Sequence, residues 1–285
     1  MTSYEFYVET KTTLEAMAKL KNISKSELEK YYSHTDRYLD FYSDLSGISR
    51  VFAQMLFHAQ NATMISNIVK FEANYRFLKK LTFGFDSKAF LAHYSGTNAA
   101  ADIVNDLRAK NGVGLVWNSD KSKNKDEIAT RFANTMLECA TYLTKFNNNN
   151  EVLADLSSHN GSYKELISYF RSNIKSGFSV ALTCDFLKEY DPIFDLPKPD
   201  VHIKDVMIAK NGRKEKYYNS EKRESELVGE VIAMVDDINR ELAERGEASI
   251  TVYQLDRMLW LISSEKFFLH NEPKNKQSFL ERIKA

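Results

Sequence analysis

Cysteine is scarce. Cys139 and Cys184 are the only two in 285 residues, too few and too far apart for a disulfide framework or a cysteine-rich metal site. An iron–sulfur cluster, which needs four such ligands, is excluded with them. The six histidines are scattered, so no metal or other cofactor is expected. Net charge is absent as well: 39 Lys and Arg balance 39 Asp and Glu. That argues against a protein held on nucleic acid by a broad positive field, and it leaves room for a few placed contacts. No stretch approaches the roughly 18 apolar residues that cross a bilayer, and the start Met1 to Phe6 lacks the basic and apolar segments of a signal peptide. The expectation is a soluble, intracellular protein in a reducing compartment, without a membrane partner. Oligomeric state is not readable from composition.

Proline is the last scarcity, and its distribution is informative. Three of the four fall within eight residues, at Pro192, Pro197 and Pro199. Proline fixes its own φ, lacks an N–H and pushes the preceding residue toward extended geometry, so 191–200 is expected to be a stiff, non-helical loop. It ends in a carboxylate, Asp200, at the start of whatever follows.

What is present is helical patterning. With 43% hydrophobic and 27% charged residues the chain is globular, and its apolar residues recur at helical spacing. Leu14, Met17, Ala18 and Leu20 form one stripe, and Leu28, Tyr31 and Tyr32 another after a capping box at Ser24 and Glu27. The spacing predicts long helices over 48–60 and 62–82, broken at Gln60 to Thr63, and a broad apolar face over 125–144. A second capping box, Ser162 with Glu165, opens a helix that stops at Lys175-Ser176-Gly177-Phe178-Ser179, where Gly177 can take the positive φ that ends helices. Val180 to Tyr190 forms the next helix and leads into the proline loop. A short helix from about 202, a long one over 221–244 and a last one opened by Thr251 and Gln254 complete the pattern. The class is all-α. The segments 1–45, 46–150 and 151–285 are read as N-terminal helices, a helical lobe, and a hairpin with its loop and C-terminal helices.

Helix, glycine-containing turn, helix, proline-bracketed loop, Asp, one residue, His: in this order the chain resembles the helix-hairpin-helix DNA glycosylase superfamily. The residues that carry the likeness are Gly177, Ala181, Pro199, Asp200, His202 and Ile203, within 174–203. The resemblance implies two helical lobes with the hairpin bordering a central cleft, a double-stranded DNA partner carrying a damaged base, and Asp200 as the catalytic carboxylate. It implies that Lys175 to Ser179 contact DNA and that His202 supports the loop. Ser179 occupies the position where bifunctional members carry a nucleophilic lysine, which implies hydrolysis by water. Lys175 on the same turn leaves lyase activity open. Similarity to the 8-oxoguanine branch implies Gln60 or Asn61 as a wedge filling the gap left by the extruded nucleotide, and Gln254 with Met258 as base-pocket residues.

Physical chemistry supports these roles independently. Breaking an N-glycosidic bond builds positive charge on the sugar, which a fixed carboxylate stabilises while orienting or deprotonating water. Amides at a helix start can take a phosphate oxygen without side-chain charge. Plainer roles exist for the same residues. Asp200 suits an ordinary N-cap, Gly177 a helix end, Gln60 and Asn61 a turn, Gln254 its capping box and Met258 the core. Residues 204–223 carry seven Lys or Arg against three acids, suited to a solvated connector or a DNA border. The alternative function is a non-catalytic helix-hairpin-helix DNA-binding or scaffold protein.

Overall fold

The structure is a computed structural model, and it describes residues 1–33, 43–61, 68–107, 125–264, 266–267, 270–271 and 273–284. Among the described residues it is all-α apart from one pair of two-residue strands. In chain order the elements are α1 (Ser3–Leu20), α2 (Lys25–Tyr32), α3 (Gly47–Asn61), α4 (Ile68–Leu81), α5 (Ser87–His93), α6 (Ala99–Leu107) and α7 (Lys125–Leu143). They continue with α8 (Asn149–Ser157), α9 (Tyr163–Asn173), α10 (Val180–Tyr190), α11 (Val201–Lys210), α12 (Glu221–Glu244) and α13 (Val252–Ser263). The strands β1 (Lys266–Phe267) and β2 (His270–Asn271) pair antiparallel before α14 (Pro273–Ile283).

The chain divides into two compact units, Met1–Asp36 with Leu187–Ala285, and Arg37–Phe186. In the first unit, α1 packs on α12 and α13, α2 on α13, and α11 on α13 and α14. Phe6 and Leu14 from α1 and Leu28 from α2 join Ile203, Val206, Leu227, Val231, Ile238, Leu255, Leu259, Ile262 and Phe279 in one buried cluster. The N-terminal helices therefore share the core of the C-terminal ones. Burying each such side chain contributes roughly 1.5–3 kcal/mol. Leu14, Met17 and Ala18 of the stripe predicted on α1 face this core, while Leu20 stands 79% exposed at the end of α1.

The second unit is built around α7, on which α3, α5, α6 and α9 pack. Phe132, Met136, Ala140 and Leu143 are fully buried on its broad apolar face. The capping boxes at Ser24 and Thr251 form both reciprocal bonds. At Ser162 the hydroxyl accepts from the Glu165 N–H, but the Glu165 carboxylate sits 3.4 Å from Nδ1 of His159. No helix among the described residues is long and apolar enough to cross a membrane.

Candidate functional site

In the first unit the proline loop forms no helix from Asp191 to Asp200, as its prolines dictate. The loop and the first turn of α11 are fastened to α13 at three levels. The Asp195 carboxylate accepts from the amides of Val252 (2.8 Å) and Tyr253 (2.7 Å), the first two of α13. One turn on, Oδ1 of Asp256 accepts from the Lys198 amide at 2.9 Å. Near the far end, Nδ1 of His202 donates to the Ser263 carbonyl at 3.0 Å, an arrangement that puts the ring proton on Nδ1. Phe194 and Leu196 anchor the loop through burial.

Asp200 is the N-cap of α11. Its backbone is extended, at φ −84° and ψ −178°, and Oδ1 accepts from the amides of His202 (2.9 Å) and Ile203 (3.2 Å). Oδ2 receives no hydrogen bond from the described residues, and the side chain is half-buried. One oxygen therefore fixes the carboxylate, and the other is not engaged by the described residues. Behind the loop lies a buried ion pair that sequence reasoning missed. Lys188 Nζ from α10 lies 2.5 Å from Oδ2 of Asp256, with side chains 2% and 4% exposed. Burial pushes the Asp256 carboxyl above the ordinary carboxylate range; the Lys188 ammonium opposes that rise and the negative charge of Asp200 adds to it. An Asp inside the apolar stripe of α13 and a Lys beside Phe186 and Leu187 were the only sequence signals.

The hairpin lies in the second unit. Gly177 has φ +75°, and a Cβ there would overlap Oγ1 of the buried Thr135 on α7 and lie 3.1 Å from its Cγ2. Both the backbone conformation and this close approach require glycine. Phe178 is buried against Phe170 and Phe186, and its carbonyl accepts from Nε of Arg171 at 3.0 Å. Ser179 caps α10, its hydroxyl accepting from the Leu182 amide at 3.3 Å. The amides of Val180 and Ala181, the first two of α10, have no partner among the described residues. Ser176 is engaged: its amide and hydroxyl donate to the Glu138 carboxylate at 2.7 and 3.1 Å. Lys175 is exposed.

The remaining expected site residues fall elsewhere. Gln60 and Asn61 form the last turn of α3, but their side chains and residues 62–67 lie outside the described residues. One turn earlier the buried His58 sits with Nδ1 3.3 Å from Oδ2 of Asp185 on α10. Gln254 uses its side-chain oxygen on the Thr251 amide at 2.9 Å, and Met258 is 1% exposed within the core cluster of the first unit. Among the described residues no group of three or more His, Cys, Asp or Glu is placed to hold a metal ion. No family model matches the chain, and no curated protein and no solved structure is significantly similar to it.

Proposed function

We propose that this protein is a DNA glycosylase that flips a damaged base out of duplex DNA and hydrolyses its glycosidic bond with Asp200. The observation that carries the reading is the division of labour on that carboxylate. Oδ1 is held by two α11 amides, where the loop is tied to α13 through Asp195 and Lys198 and α11 through His202, and Oδ2 accepts from none of the described residues. A carboxylate held this way stabilises positive charge on a sugar without having to reorganise first. As the bond from C1′ to the base breaks, its electron pair leaves with the base. A water oxygen bonds C1′, and the proton it releases goes to the Asp200 carboxylate.

In this reading the hairpin contributes strand contact. Gly177 shapes the turn by packing against Thr135, and the amides of Val180 and Ala181 are suited to a phosphate oxygen at the start of α10. Ser179 at the cap position supports direct hydrolysis over a covalent sugar adduct. Borohydride treatment during turnover should therefore trap no protein–DNA adduct; a trapped adduct would assign a lyase step and point to Lys175.

One observation favours a second reading, a helical binding or scaffold protein without chemistry. The Glu138 carboxylate occupies the Ser176 amide and hydroxyl, and its negative charge opposes a phosphate on that part of the turn. Incubation with duplexes carrying oxidised, alkylated or deaminated bases, followed by alkali, separates the two. Strand breakage at one lesion class supports the glycosylase, and intact strands across the whole panel support the scaffold.

A further inference from the structure

We infer that Phe83, in the turn between α4 and α5 of the second unit, is a stacking platform for an unpaired nucleobase. Two features would each be unfavourable if the residue were only part of a connector. First, the backbone is left-handed at three successive residues, Phe83 (φ 54°), Gly84 (φ 80°) and Phe85 (φ 61°). The Gly84 amide donates to the Lys79 carbonyl at 2.7 Å and the Phe83 amide to the Lys80 carbonyl at 3.3 Å, the paired bonds of a helix end at which glycine is the usual residue. A bulky L residue is rare there and costs stability. Second, Phe83 is 48% exposed, whereas Phe85, two residues on, is 1% exposed and packs edge-on to Phe52. A backbone cost is thus borne to hold an aromatic ring in solvent.

The ring is also backed and held. It lies against His93, with centroids 4.9 Å apart. His93 meets Tyr94 edge-on at 4.7 Å, and Tyr94 packs on the buried Phe90 at 5.0 Å. The Tyr94 hydroxyl donates to Asp106 at 2.6 Å. On the backbone side, the Thr82 hydroxyl donates to the Leu78 carbonyl at 2.7 Å and accepts from the Phe85 amide at 3.1 Å. A chain of ring contacts therefore runs from the core to an exposed face whose position is fixed in advance.

The surrounding charge identifies the occupant. Lys80, three residues before Phe83, and Lys88, in the first turn of α5, are exposed and have no ion pair among the described residues. Asp86, between them, uses Oδ1 to cap α5. An exposed aromatic face with exposed lysines three and five residues away in the chain suits a base on a phosphate strand, where stacking tolerates any sequence and the cations take phosphates. The inference rests on the DNA-binding part of the proposed function and not on its chemistry.

Phe83→Gly and Phe83→Trp test it. Glycine relieves the backbone, so that variant should melt no lower than wild type. Its affinity for an oligonucleotide containing one unpaired 2-aminopurine should fall about tenfold, with the fluorescence quenching of that base lost, whereas binding to a fully paired duplex should be unchanged. Phe83→Trp should keep both affinity and quenching, and Lys80→Ala should lower the salt dependence of binding by about one ion. Equal affinity and quenching in wild type and Phe83→Gly would overturn the platform while leaving the glycosylase reading intact. Wild-type quenching that depends on Phe83, without excision of any lesion, would uphold the platform and overturn the glycosylase. Failure of the wild type to bind either probe would overturn both.

Discussion

Asp256→Asn removes one charge from the buried pair behind the proline loop and almost no volume. Its side-chain oxygen can still accept from the Lys198 amide, but the ammonium of Lys188, only 2% exposed, loses the carboxylate charge beside it. Breaking such a pair from one side costs about 3–5 kcal/mol, a large share of the roughly 5–15 kcal/mol that stabilises a domain. Lys188→Met in the same chain removes the other charge of the pair and fills its volume, so the double variant should recover most of the loss and lie within about 1 kcal/mol of wild type. Urea denaturation followed by far-ultraviolet circular dichroism on the four proteins of the cycle measures this as a coupling energy. A value of at least about 2 kcal/mol is expected. A cost below about 1 kcal/mol for Asp256→Asn, or losses that simply add, would refute the reasoning. Asp256→Leu with Lys188→Met also removes the acceptor for the Lys198 amide, and it should lower excision below that of the Asn and Met pair because the segment leading to Asp200 loses one of its ties to α13.

Gly177→Ala should cost about 2–4 kcal/mol from positive φ and collision with Thr135, with a smaller cost in a Thr135→Ala background; equal costs in the two backgrounds would show that the contact does not matter. Asp195→Ala removes acceptors from two amides of α13 and should destabilise by about 1–2 kcal/mol, read as a lower urea midpoint; an unchanged midpoint would deny the tie. Tyr32 and Tyr218 are raised to about 12, chiefly by burial. Their neutral forms are favoured in the folded state, so this stabilisation is complete below pH 10 and disappears between pH 10 and 12 as the phenols ionise more readily in the unfolded chain. Melting temperature should fall over that interval and fall less in Tyr218→Phe; an equal fall in both proteins would assign the alkaline transition to other groups.

Much of the helical framework could be read from local chemistry. The predicted 221–244 helix coincides with α12, and the capping boxes at Ser24 and Thr251 mark true helix starts because each satisfies amides within one turn. The proline loop was equally legible, since three fixed φ angles leave few alternatives. Long-range pairing was not. Periodicity shows that α1 has an apolar face but not that Phe6 meets Phe279, nor that Lys188 and Asp256, 68 positions apart, share a buried site. The strands β1 and β2 are too short to show alternation. At the candidate site, the capping role of Asp200 was visible in Pro-Asp preceding a helix, whereas the engagement of Ser176 by Glu138 had no local signature. The strain at Phe83 also escaped notice, because Phe-Gly-Phe does not reveal which residue takes the left-handed position.

Single-turnover excision by wild type and Asp200→Asn, on the lesion that the wild type cuts, isolates the role assigned to Oδ2. The amide can keep the α11 cap through its carbonyl, so folding and DNA affinity should persist while the rate falls by a factor of about a hundred or more. Excision by Asp200→Asn at the wild-type rate, with binding unchanged, would contradict the assignment of this carboxylate to the chemistry.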